Sequence, residues 1–194
     1  DNAPEAELSK GGWEGYVVRF GALATWRMSS TYLGGKGGGT GEQMTAVAMD
    51  ADGNVWVAGT SNSTDFPVSE GAFQSEAKVG TDAVLTKLDG RLQILLASTY
   101  LAGTGEDSAA ALVLDGDGSV WVAGTTPSAD FPVTEQAAMP KAGGSWDAWL
   151  ARVSPDGSEL RYATYFGGNS VDRGTALAAW PGGGVLLAGE SQSW

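Results

Sequence analysis

The 194-residue sequence contains no cysteine and no histidine. Without cysteine there is no disulfide framework, zinc knuckle, thiolate nucleophile or iron–sulfur site. Without histidine there is no His-assisted triad, haem histidine or facial-triad iron centre. Positive charge is scarce: 11 Lys and Arg stand against 23 Asp and Glu, a net charge of −12. That balance argues against nucleic acid as a partner, since phosphate recognition needs clustered cations. No apolar run reaches the roughly 18 residues that a membrane-spanning helix requires. The first residue is Asp1, and no signal peptide is visible, so the expectation is either a removed leader or a piece of a longer chain.

What is present argues for a folded domain. Hydrophobic residues make up 42%, with eight tryptophans, so the chain can bury a core. The 30 glycines are about twice the average usage of roughly 7% and follow no collagen period. Many glycine turns in a chain of this length predict many short strands.

The strongest signal is an internal repeat. Val55-Trp56-Val57-Ala58-Gly59-Thr60 recurs 65 residues later from Val120 to Thr125, and Asp65-Phe66-Pro67-Val68 recurs from Asp130 to Val133. Thr31-Tyr32-Leu33-Gly34-Gly35 recurs from Thr99 (shift 68) and again from Thr164 (shift 65). The acids Glu14, Asp82 and Asp147 keep these shifts, as do the bases Arg19, Lys87 and Arg152. Three extra residues therefore fall between Tyr32 and Asp50, in the glycine-rich stretch Gly34 to Gly39.

Each unit resolves into four strand-like segments, at 45–50, 54–60, 83–88 and 95–101 in the best-defined copy. Apolar residues alternate with small ones, and no segment keeps a helical period. A four-stranded meander at fixed spacing predicts an all-β chain of β-propeller type, built of antiparallel blades. With the 45–50 segment innermost, the expected organisation is a linker at 1–12 and an outer half-blade with its Gly-rich loop at 13–44. Whole blades follow at 45–109 and 110–175, then an inner half-blade at 176–194. This makes about three blade equivalents, and the two halves are complementary. Ser191-Gln192-Ser193-Trp194 matches the phase of Ser61-Asn62-Ser63-Thr64, and Asp1 to Pro4 can follow as Asp65 to Val68 do. Propellers have about four to eight blades. Either two chains close into a six-bladed ring or the chain is an in-phase piece of a longer propeller.

The ordered motifs Tyr-Leu-Gly-Gly, Ala-Val-Ala-Met-Asp, Gly-Asn-Val-Trp-Val-Ala-Gly-Thr, Asp-Phe-Pro-Val and Gly-Ala-Phe-Gln resemble the SBBP repeat, a bacterial β-propeller repeat. The resemblance runs through nearly all of 13–191. The third copy departs from it, with Trp180-Pro181-Gly182-Gly183-Gly184 for the aspartate turn and Leu186 for the blade tryptophan. The resemblance implies a propeller and an exported location, extracellular, periplasmic or at the cell surface. It implies no defined activity.

Candidate sites are few. Asp50 and Asp52, and likewise Asp115 and Asp117, alternate in turns as calcium ligands do. The EF-hand pattern fails, because Val55 and Val120 stand where glycine is needed and Ser61 and Thr126 where a bidentate Glu is needed. Tight hairpin turns are the preferred reading, with no cofactor expected beyond a possible calcium ion. The repeated acid and base series reads as structural. Acid and base five apart lie on opposite strand faces, so they are not partners along one strand. Trp56 and Trp121 read as inter-blade core, and Phe66 and Phe131 as packing in the inter-blade connection. Trp13 and Trp146 share one slot, while Trp26, Trp149, Trp180 and Trp194 lack tryptophan counterparts. Trp13, Trp146, Trp26 and Trp180 are the candidate ligand or partner surface. The expected function is a non-catalytic secreted or surface scaffold for protein or glycan binding. The alternatives are an assembly subunit whose half-blades pair between chains, and a carboxylate-based glycan-active enzyme.

Overall fold

The computed structural model describes residues 13–35 and 41–193. The expected linker at 1–12, most of the Gly-rich loop and Trp194 lie outside the described residues. The described chain is all-β, with no helix among those residues. Its strands are β1 (Gly15–Phe20), β2 (Arg27–Leu33), β3 (Gln43–Met49), β4 (Val55–Ser61), β5 (Asp82–Leu88), β6 (Leu95–Leu101), β7 (Ser108–Leu114), β8 (Val120–Thr126), β9 (Asp147–Val153), β10 (Leu160–Phe166), β11 (Asp172–Ala179) and β12 (Val185–Ser191). β3 to β6 and β7 to β10 form two four-stranded antiparallel meanders; β1–β2 and β11–β12 are separate two-stranded sheets. The last sheet begins at Asp172 instead of the expected 176.

The first strands of successive sheets lie side by side, because β3 and β11 both pack on β7. That is the arrangement of blades around a propeller axis. No sheet closes on itself among the described residues. The principal core lies between the two complete blades and is built from Trp56, Leu85, Leu101, Val120, Val122, Phe131 and Trp149. Their small neighbours Ala58, Ala83, Ala109 and Ala151 let adjacent blades approach closely.

The repeat motifs have separate structural tasks. In each copy the first strand bulges, between Met44 and Ala46, Ala109 and Ala111, and Gly174 and Ala176. The bulge turns a carbonyl onto the opposite strand at Gly59, Gly124 and Gly189, where any Cβ would overlap the carbonyl oxygen of Gln43, Ser108 or Arg173. This is why the Val-Ala-Gly sequence ends in glycine. The segments carrying Phe66 and Phe131, expected to connect blades, instead join the second and third strands of one blade. The buried tyrosines Tyr100 and Tyr165 at the ends of β6 and β10 donate their hydroxyls to backbone carbonyls of these loops, Tyr100 to Ser63 (3.1 Å) and Tyr165 to Ser128 (2.8 Å). Phe66 and Phe131 meet these rings edge-on, each with centroids 6.2 Å apart. The Asp-Phe-Pro-Val segment thus staples the connection back onto its own blade.

Candidate binding groove and site residues

The aspartate turns form the first candidate site. Asp50 accepts the backbone N–H groups of Asp52 (3.0 Å) and Asn54 (2.8 Å), and Gly53 takes φ of 83° to close the turn. Its other oxygen faces Lys87 Nζ at 3.0 Å. Burial works to raise the Asp50 pKa, but the Asn54 and Lys87 hydrogen bonds outweigh it and the pKa lies below the usual range. In the next blade Arg152 spans Asp115 (2.7 Å) and Asp117 (3.1 Å), and Arg161 adds a second contact to Asp117 at 2.9 Å. The Ser119 backbone N–H and then hydroxyl, with Arg152, lower the Asp117 pKa to about 2. Protein cations therefore stand where a calcium ion would sit. Among the described residues no three His, Cys, Asp or Glu side chains group as a metal site. The third copy keeps the same two backbone bonds, Trp180 N–H to Gly184 and Gly183 N–H to Trp180, without any carboxylate.

The repeated acids and bases are separated in space. Lys87 and Arg152 serve these turns and each also lies over a blade tryptophan, Lys87 over Trp56 at 5.2 Å and Arg152 over Trp121 at 5.4 Å, whereas Arg19 donates to the Gly90 carbonyl at 3.0 Å. Asp82 and Asp147 sit at the opposite strand ends, each 1% exposed. Each meets a second acid missed by the sequence reading. Asp82 feels the charge of Asp107, and a side chain on Gly167 would strike both Asp147 and Asp172. Glu42, Asp107 and Asp172 recur at the same 65-residue spacing, which was the available signal. Asp107 is held by the Gly103 N–H (2.8 Å) and the Ser128 hydroxyl (3.1 Å). One oxygen each of Asp82, Asp107 and Asp147 is buried without a hydrogen bond. Burial, with the Asp107 charge added, raises the Asp82 pKa to about 6.

The aromatic candidates separate. Trp13, Trp26 and Trp180 are 82%, 61% and 56% exposed, and Trp146 is half-buried. They stand on four different segments: before β1, in the β1–β2 turn, in the β11–β12 turn and before β9. Trp149, which lacks a tryptophan counterpart and was not among the surface candidates, is fully buried against Phe131. Its equivalents are Val84 and Tyr16, so the slot is apolar in every copy. Trp56 is buried in the core as expected, whereas Trp121 is only half-buried and stacks edge-on with Tyr162.

A concave surface lies between β1 and β3. A cavity of about 890 Å³ is lined by Val17, Val18, Arg19, Val47, Met49 and Leu92, among others. A second, of about 420 Å³, continues past Trp13, Glu14, Tyr16 and Met44. In the complete blades the second strand fills the corresponding space, where β4 packs on β7 and β8 on β11.

Four-stranded antiparallel meanders set side by side by their first strands define β-propeller blades. Residues 30–67 match the SBBP β-propeller repeat, so the chain carries a repeat of that family there. The match runs from within β2 to Pro67, so the family's repeat unit straddles the boundary between one sheet and the next. Comparison with curated proteins finds no match.

Proposed function

We propose that the chain is a non-catalytic, exported β-propeller scaffold that binds protein by strand addition at the open edge of β1. The carrying observation is the apolar groove beside an edge strand with no partner on its axis-facing side among the described residues. Backbone groups along such an edge offer main-chain hydrogen bonds to an incoming strand, and apolar pockets supply the fit. The carboxylates support a structural role, because the same arrangement repeats from blade to blade while a reaction centre needs one singular constellation.

Donor-strand complementation tests this. A duplicate of residues 172–191 is tethered ahead of Trp13 through a flexible Gly/Ser linker, which raises its local concentration to roughly millimolar. Hydrogen exchange at the amides of Gly15–Phe20 is expected to slow at least tenfold against a tether of scrambled sequence. Unchanged exchange would remove strand addition as the binding mode.

A further inference from the structure

We propose that the tip of the β1–β2 turn, carrying Leu23, Trp26, Arg27 and Met28, is an interfacial anchor that dips into the surface of an anionic lipid bilayer. The tip lies at the end of the hairpin, and the proposal does not depend on what pairs along the β1 edge.

The β1–β2, β5–β6 and β9–β10 turns share one backbone. The Gly21 N–H donates to the Trp26 carbonyl and the Ala24 N–H to that of Gly21. Asp89 with Ile94 and Leu92, and Ser154 with Glu159 and Gly157, repeat both bonds. Ala24, Leu92 and Gly157 take φ of 52°, 61° and 74°. On this common frame the side chains differ. Asp89 caps its turn by accepting the N–H groups of Gln93 (2.6 Å) and Ile94 (2.8 Å), and Ser154 accepts those of Ser158 (3.1 Å) and Glu159 (3.0 Å). Gly21 has no side chain to do so, and one placed there would displace the Trp26 indole. The first turn thus exchanges a polar cap for a tryptophan seat.

Exposure here belongs to the position. Leu23, Trp26 and Met28 are 80%, 61% and 53% exposed. Their equivalents in the complete blades are exposed as well, so no unfilled strand position bares these side chains. Leu23 stands where the other copies have Arg91 and Asp156. Trp26 and Met28 match Ile94 and Leu96 in one blade, and Glu159 and Arg161 in the next. Of the three turns, only the first has an apolar side chain at all three places.

Charge selects the occupant. In a chain of net charge −12, the stretch from Gly15 to Gly35 holds no Asp or Glu, and it contains Arg19 and Arg27. Arg27 is exposed, donates to the Ser30 hydroxyl at 3.1 Å, and stands where the other copies have Leu95 and Leu160. An aliphatic apex with tryptophan and then arginine behind it follows the order of a bilayer from hydrocarbon to headgroup. The backbone bonds within the turn satisfy groups that would otherwise enter a poorly hydrated layer bare. A carboxylate cap such as Asp89 would meet lipid phosphates as a like charge, and Gly21 removes it; an apolar protein partner makes no such demand. Arg19 reaches toward the neighbouring turn, to the Gly90 carbonyl at 3.0 Å, and its charge offsets that of Asp89 there. The acidic remainder of the chain keeps binding weak and lets only this corner approach an anionic surface.

Vesicle flotation at low ionic strength tests this, comparing phosphatidylcholine alone with phosphatidylcholine containing about 30% phosphatidylglycerol. The wild type is expected to bind the anionic vesicles at least about fivefold more than the neutral ones. Arg27→Gln should lose about fivefold on the anionic vesicles, and Leu23→Ser/Trp26→Ser at least about tenfold. Ile94→Ser, at the equivalent place in the next blade, should bind as the wild type does. A reporter separates binding from any effect of these substitutions on folding, because the chain has no cysteine of its own. An environment-sensitive fluorophore on Ala22→Cys is expected to shift to the blue with anionic vesicles, and one on Gln93→Cys is not. Equal flotation with both vesicles, equal loss from Ile94→Ser, or an unshifted fluorophore on Ala22→Cys would overturn the proposal. No flotation with either vesicle would overturn it too, and would leave the tip to a protein partner. The tethered-hairpin exchange above reads the β1 edge alone, so the two readings fail separately.

Discussion

At the residue scale, glycine and buried aspartate make the sharpest demands. Gly124 faces the Ser108 carbonyl so closely that a methyl group cannot fit without moving the bulge. Gly124→Ala is expected to cost at least about 2 kcal/mol, by backbone displacement as well as overpacking. Gly116, with open space around its Cβ position, is the control, and Gly116→Ala should stay within about 0.5 kcal/mol. Chemical denaturation of both variants decides this, and equal destabilisation would refute it. Asp82 gives a pH signature. Its pKa rises from 3.8 to about 6 in the folded chain, chiefly through burial, so the folded state binds the proton more tightly than the unfolded one. The stability tied to that proton is present at low pH and is lost as pH rises from about 4 through 6. Asp117 and Asp156, both lowered to about 2, act oppositely and lose their contribution as pH falls below about 4. These three groups together place a stability maximum near pH 4. In Asp82→Asn the decline from pH 5 to 7.5 should flatten, and the variant should be more stable than wild type at pH 7.5. Thermal melts across that range would expose the error if the two slopes coincide.

At the element scale, much of the fold was legible because each motif is local. Val-Trp-Val-Ala-Gly-Thr announces a strand and Asp-Gly a turn, and the fixed spacing orders them. The partners of the turn were not legible. Lys87 reaches Asp50 only because β5 pairs with β4 in a register that sets Lys87 opposite Trp56. That register is a property of the sheet, so the acid-and-base spacing along one strand pointed away from the pair. The place of Trp149 was not legible for a related reason: comparison by residue type finds no counterpart, whereas the slot asks only for an apolar side chain and accepts Val84 in the preceding blade. The ion cluster carries its own test. Arg152 joins Asp115, Asp117 and the Trp121 ring. Arg152→Met is expected to destabilise by about 2 kcal/mol, while Arg161→Met, at a more exposed pair, should cost under about 1 kcal/mol. Because the guanidinium already occupies the site, melting midpoints in calcium and in chelator should agree. A calcium-dependent rise that disappears in Asp117→Ala would contradict this.

At the scale of the whole molecule, stability is uneven between the complete blades and the two-stranded sheets. An isolated two-stranded sheet is at best marginally stable in water, so β1–β2 and β11–β12 depend on their neighbours. β11 has them, since it packs on β7, β8 and β9; β1 touches mainly β3. The groove was invisible in the sequence because it is defined by an unfilled space between elements. Of its apolar side chains, Tyr16, Val47 and Met49 are more than half exposed. Full burial contributes about 1.5–3 kcal/mol for each such side chain, so a strand laid along this edge gains by covering them. A two-stranded sheet opens more readily than a complete blade. Amides of β1 and β2 are expected to exchange at least tenfold faster than those of β4, β5, β8 and β9. Uniform hydrogen exchange across all the sheets would show that β1–β2 is held as firmly as a complete blade.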